Sequence, residues 1–121
     1  MVDETKHCEN GPTMKICLSY GSHGEIVNTC KALAMDVREG TLQAEDISES
    51  HIEEKLLTNH CVDPDVVMRT SGEYRLSNFL LWQLAYTEMF FIPKQWPDLD
   101  KSDLLHVIRT YAHGRRRRFG K

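Results

Sequence analysis

Between residues 69 and 77 the chain reads "RTSGEYRLS". Arg69 and Arg75 bring planar, paired donors suited to phosphate oxygens. Ser77 adds a hydroxyl, with Thr70, Ser71 and Gly72 in the turn between. The residues before Arg69 look like a strand and those after Ser77 like a helix, and ligands of α/β sheets bind beyond the carboxyl ends of strands. A following helix would add free backbone N–H groups and a positive dipole end. Arg69, Arg75, Ser77 and that helix terminus together describe a phosphate or diphosphate site. The plainer alternative is an Arg69–Glu73 pair, with Ser77 only capping the helix. Behind them lies "NFLLWQLAYTEMFF", an apolar run containing Glu88. A carboxylate there is costly to bury unless paired or metal-bound, or else it faces solvent. Phe79, Trp82, Tyr86, Phe90 and Phe91 fit a core, or the wall of an apolar ligand tunnel.

These side chains need elements to hold them. "MKICLSYG" reads as a buried strand ending at Gly21. "GEIVNTCKALAMDVREG" reads as a helix with Ile26, Val27, Cys30, Leu33, Ala34 and Val37 on one stripe, closed by Gly40. "DISESHIEEKLL" reads as a second helix, capped by Ser48 or Asp46, with Ile52, Leu56 and Leu57 inward. "DVVMRT" is β-branched and reads as a second strand. Ser77 or Asn78 would cap a helix from Phe79 to about Phe91, stopped by Pro93. Asp100 or Ser102 would cap a last helix with Leu104, Leu105, Ile108 and Tyr111 on one side. The order strand, helix, helix, strand, helix, helix predicts an α/β domain with parallel strands covered by helices. Two strands leave both sheet edges open, so the pattern reads as part of such a domain. Residues 1–13, with Gly11 and Pro12, read as an irregular leader, and 14–121 as the partial domain.

Composition is that of a globular protein, 40% hydrophobic and 27% charged over 121 residues. No apolar run approaches the roughly 20 residues of a membrane span. "MVDETKHCEN" is neither a secretory signal nor a transit peptide, so a cytoplasmic protein is the expectation. Cys8, Cys17, Cys30 and Cys61 are dispersed, as free thiols would be; a zinc site from His7, Cys8, His60 and Cys61 matches no usual ligand spacing. The net charge of −3 is uneven: from His106 onward there are six basic side chains and no acid. Such a tail suits an anionic partner or a solvated helix end. A nucleic-acid role would rest on this charge run alone, without interleaved aromatics, so no nucleic-acid partner is expected.

Taken together, "DPDVVMRTSGEYRLSNFLLWQLAYTEMFF" and "WPDLD" closely resemble the C-terminal signature of the cis-prenyltransferases, the family of undecaprenyl and dehydrodolichyl diphosphate synthases. The resemblance begins near "KICLSYG" and runs to "RRRRFGK". It implies the C-terminal half of that α/β fold. It also implies a transferase condensing isopentenyl diphosphate with an allylic diphosphate, in polyprenyl or dolichol-type diphosphate synthesis. Arg69, Arg75 and Ser77 match the positions that hold isopentenyl diphosphate, and Glu88 matches the glutamate associated with Mg2+. Arg118 and Gly120 match an R-x-G motif that reaches the partner subunit's site. The implied partners are the two diphosphates and a second cis-prenyltransferase subunit, in a homodimer or heterodimer. A long prenyl product implies a nearby bilayer, which leaves peripheral association with the endoplasmic reticulum surface open.

The family's N-terminal half, with the D-G-N-x-R loop that holds the allylic diphosphate, has no counterpart in these 121 residues. His23 stands where the family usually has arginine, followed by Gly24. The expectation is a chain that keeps the isopentenyl diphosphate site and is inactive alone. The alternative is a non-catalytic partner subunit of a heterodimeric enzyme.

Overall fold

The computed structural model of the chain describes residues 11–114. Two helices come first, α1 (Ser22–Glu39) and α2 (Glu49–Lys55), joined through a 3-10 turn at Ala44–Asp46. Strands β1 (Val66–Arg69) and β2 (Glu88–Phe91) follow, then a 3-10 turn at Trp96–Asp98 and helix α3 (Lys101–Gly114). The architecture is α/β with parallel strands: β1 and β2 pair in register from Val66 opposite Glu88 to Arg69 opposite Phe91. Among the described residues these two strands form the whole sheet.

Several local rules held. Gly40 ends α1 in the left-handed conformation, φ 75°, where its N–H reaches back to Val37 O. Ser48 caps α2, its own N–H donating to His51 Nδ1 at 3.2 Å. At α3, Asp100 Oδ1 accepts from the N–H groups of Ser102 (2.6 Å) and Asp103 (3.2 Å). Asp103 Oδ2 returns the favour to Asp100 N–H at 3.0 Å, and Lys94 Nζ lies against both carboxylates. This reciprocal cap holds both carboxyls below the usual aspartate range and raises Lys94, chiefly through the hydrogen bonds themselves.

Several expectations fail. Residues 14–20 form no strand; Met14, Ile16 and Leu18 lie exposed, because a strand needs a neighbour and the β1–β2 sheet does not reach them. The helix expected from Phe79 to Phe91 is absent. Ser77, Asn78 and Leu80 have φ of 51°, 62° and 47°, which an α-helix cannot contain. Residues 79–86 make successive turns, and "EMFF" pairs with β1. Backbone pairing thus overrode the helical propensity of the run.

The buried stripe of α1 is also displaced. Ser22, Glu25, Thr29 and Leu33 face inward, while Val27, Cys30 and Ala34 are exposed. The neighbours of this helix offer donors and acceptors, so a polar stripe packs there. On the remaining helices, Leu56 is buried but Leu57 turns outward, and Val107 is the buried centre of α3 while Leu104 and Ile108 stay half in water.

Candidate diphosphate-binding site

Arg69 ends β1, and the chain leaving it is fastened to the chain leaving β2. Ile92 N–H donates to Arg69 O at 2.7 Å, Gly72 N–H to Ile92 O at 3.0 Å, and Ser71 N–H to Lys94 O at 2.8 Å. Ser71 Oγ reaches Gln95 Oε1 at 3.0 Å. Parallel pairing sends both carboxyl ends to one side, so this stapled loop and the start of the next turn enclose a cavity of about 530 Å3. Its polar lining includes Arg69, Arg75, Ser77, Ser71 and Glu73; Leu76, Phe79, Phe91 and Trp96 are among the apolar walls.

Within it, Arg69 Nη1 donates to Ser77 Oγ at 3.1 Å and to the carbonyl of Arg75. Arg75 is turned to Glu73, with its guanidinium in an ion pair with that carboxylate. The alternative pairing of Arg69 with Glu73 does not form; Arg75 takes that partner. Two guanidiniums against one carboxylate leave the cavity with an excess positive charge, and Arg75 is 62% exposed in its side chain. Tyr74 lies over Phe91 with ring centroids 5.0 Å apart, extending the apolar side. No α-helix starts at Ser77, so the helix terminus expected there is missing.

Glu88 is not brought to the arginines. It opens β2 opposite Val66, three strand residues from the Arg69 end, or about 10 Å at the usual rise. Its site is a strand, not the apolar helix expected. Arg118 and Gly120 lie outside the described residues, as do His7 and Cys8 of the zinc alternative. Cys17, Cys30 and Cys61 are separate exposed thiols. Among the described residues no group of three His, Cys, Asp or Glu side chains gathers to hold a metal. Glu73, the carboxylate in the cavity, is already engaged by Arg75. These residues therefore do not make a magnesium site by themselves.

Sequence reasoning missed the support beneath the site. Glu25, 5% exposed, accepts hydrogen bonds from Tyr20 Oη (2.5 Å), Leu57 N–H (2.8 Å) and Gln83 Nε2 (3.2 Å). Burial, reinforced by the bond to Glu25, pushes the Tyr20 phenol up to about 12. Gln83 also donates to Thr58 Oγ1 at 2.8 Å. The hub fastens the 79–86 turns to α1 and to the chain after α2. Its only sequence signal was a lone Glu off the apolar stripe, which ordinarily means solvent.

The family model described as "Putative undecaprenyl diphosphate synthase" matches residues 1–120, so the match begins before the segment that carries the visible motifs. An isoprenyl transferase of Lactobacillus johnsonii is 47% identical over 114 residues, 92% of this chain and 47% of the relative. One from Streptococcus pyogenes is 45% identical over 124 residues, 99% of this chain and 49% of the relative. The chain thus spans about half the length of the curated relatives it matches. Among solved structures, lavandulyl diphosphate synthase from Lavandula x intermedia, in complex with dimethylallyl diphosphate, superposes with a TM-score of 0.80 at 40% identity, covering 86% of this chain and 44% of that one. A probable undecaprenyl diphosphate synthase from Campylobacter jejuni gives 0.74 at 32% identity, covering 98% and 52%. A cavity of anion-seeking side chains at the carboxyl ends of parallel strands, on a chain matched along nearly its whole length, leads to one family: this chain belongs to the cis-prenyltransferases, transferases of prenyl groups related to undecaprenyl diphosphate synthase.

Proposed function

We infer that this chain carries the isopentenyl diphosphate side of a cis-prenyl transfer centre of the polyprenyl or dolichol-type. The observation behind this reading is the Arg69–Ser77–Arg75 cluster inside a cavity with apolar walls. Such a cavity suits a molecule with a multiply charged anionic head and a short hydrocarbon body. The diphosphate would displace Glu73 from Arg75 and take paired donors from both guanidiniums, with Ser77 Oγ beside Arg69. Holding the head fixes where the terminal alkene sits, and that positioning is what the chain contributes to rate. In the condensation the alkene carbon bonds to the allylic carbon, the allylic C–O bond breaks to release diphosphate, and the isopentenyl unit loses a proton.

The allylic partner needs donors of its own, and the sequence contains no D-G-N-x-R motif to supply them. Magnesium enters this reading as the counter-ion of the diphosphates, with Glu88 the residue the family pattern assigns to it. The 121-residue polypeptide by itself is expected to bind isopentenyl diphosphate and not to elongate farnesyl diphosphate. Growth of product chains on a gel, from this polypeptide and Mg2+ alone, would overturn that.

A second reading has its own observation. Met14, Ile16, Leu18 and Val27 are exposed, and among the described residues the two-stranded parallel sheet has open edges. Both features suit a subunit or part that works docked against another cis-prenyltransferase polypeptide, as homodimer or heterodimer. Co-purification with a full-length homologue tests it; a tagged homologue that captures none of this chain would count against it. No helix among the described residues is long and apolar enough to cross a membrane. The proposed setting is the cytoplasm, at the endoplasmic reticulum surface where a prenyl product enters the bilayer.

A further inference from the structure

The N-terminus of α1 lacks a capping side chain of its own, because its N-cap residue is Gly21. The cap comes instead from Asn78. Its Oδ1 accepts the His23 N–H at 2.8 Å, and its backbone carbonyl accepts the Ser22 N–H at 2.8 Å. Ser22, fully buried, accepts the Leu81 N–H on its hydroxyl at 3.0 Å. Three bonds therefore lock the residues that follow Ser77 onto the first turn of α1.

The lock explains two sequence choices. Asn78 stands at φ 62°, a conformation asparagine tolerates better than most residues. A Cβ at position 21 would lie 2.8 Å from Asn78 Nδ2, so glycine is what leaves the Asn78 amide room in its capping position. Ser77, the neighbour of Asn78, is itself left-handed at φ 51° and presents its hydroxyl to Arg69. Without the lock, nothing in its own dihedral preference would keep Ser77 there.

We propose that Asn78, seated in the gap left by Gly21, is a positioning residue that holds Ser77 and through it Arg69 in register for a diphosphate ester. The proposal rests on the isopentenyl diphosphate reading above. Asn78 acts through Ser77 and does not touch the ligand.

Calorimetric titration of the full 121-residue chain with isopentenyl diphosphate and Mg2+ tests it. The chains compared are wild type, Asn78→Gly, Gly21→Ala, Ser77→Ala, the Ser77→Ala/Asn78→Gly double variant, and Arg75→Ala. Asn78→Gly keeps the left-handed backbone and the carbonyl bond to Ser22 but removes the side-chain half of the cap; the expected result is a loss of about fivefold in affinity. Gly21→Ala pushes the Asn78 amide away from a distance and should weaken binding in the same direction, which keeps the test open if Asn78→Gly does not fold. In the Ser77→Ala background, Asn78→Gly should have little further effect. Equal losses from Asn78→Gly in both backgrounds would reduce Asn78 to a general structural role. Wild-type affinity in both Asn78→Gly and Gly21→Ala, alongside weakened Arg75→Ala, would overturn the positioning proposal and leave the site standing. Absence of wild-type binding, or an unaffected Arg75→Ala, would remove the site reading and this proposal with it.

Discussion

Replacing Glu25 should cost this chain more stability than replacing any apolar residue on the exposed side of the same helix. Glu25 is buried and meets three donors, from Tyr20, Leu57 and Gln83. Hydrogen bonds to a charged acceptor are each worth about 1.5–3 kcal/mol when buried. Leu57 is an exposed residue and Tyr20 only half-buried, so water can replace part of what they lose. Gln83 is 3% exposed; without Glu25 its amide keeps Thr58 Oγ1 but leaves one buried N–H unpaired, which carries the full desolvation penalty for that group. Glu25→Ala is therefore expected to destabilise by ~3 kcal/mol, and Glu25→Gln by ~1.5 kcal/mol because one amide oxygen can still accept. For a chain of 121 residues, between the ranges for smaller and larger domains, that places the Ala variant roughly 12 °C below wild type. Val27→Ala, on the half-exposed side, should leave the midpoint unchanged or slightly higher, since alanine is the better helix former. Thermal and urea unfolding followed by far-ultraviolet circular dichroism reads all three. The opposite order, with Val27→Ala costly and Glu25→Ala within about 0.5 kcal/mol of wild type, would show that the apolar stripe faces the core and would refute the hub.

Other outcomes follow from the same contacts. Glu73→Gln removes the acid competing for Arg75 and should tighten isopentenyl diphosphate binding by about threefold to tenfold, read by calorimetry; weaker binding would mean that Glu73 helps the ligand. The Asp100 and Asp103 carboxyls titrate below their ordinary value, so the α3 cap contributes fully above about pH 4 and is lost as pH falls through the lowered values. Amide exchange in the first turn of α3 should quicken below that point in wild type, but not in Asp100→Asn. Tyr20 should ionise near pH 12, against 10 for a free phenol, so its share of stability is whole below pH 10 and lost as pH rises towards 12. A late step in the ultraviolet phenolate titration, absent from Tyr20→Phe, would mark it.

The sequence made some features plain and hid others for identifiable reasons. Gly40, Ser48 and "VVMR" announce their structures locally, because a left-handed cap, a helix cap and a β-branched run depend on few neighbours. β2 was hidden inside an apolar run long enough to look helical; "EMFFIP", rich in β-formers and closed by proline, was the available signal. The segment from Met14 to Tyr20 has strand composition, but composition cannot supply a pairing partner. At the site, the nearness of Arg69 to Ser77 followed from a turn joining strand and loop. The Arg75–Glu73 pair and the Asn78 cap did not, since each chooses among equivalent partners only after the chain has folded.

The central claim is that Arg69 and Arg75 hold a diphosphate at the carboxyl ends of β1 and β2. Calorimetric titration of isopentenyl diphosphate into wild type, Arg69→Ala and Arg75→Ala, each shown folded by circular dichroism, tests it most directly. The account predicts saturable wild-type binding and a loss of about tenfold or more in each variant, the scale of one charge-assisted bond. Equal affinity in all three proteins would contradict it.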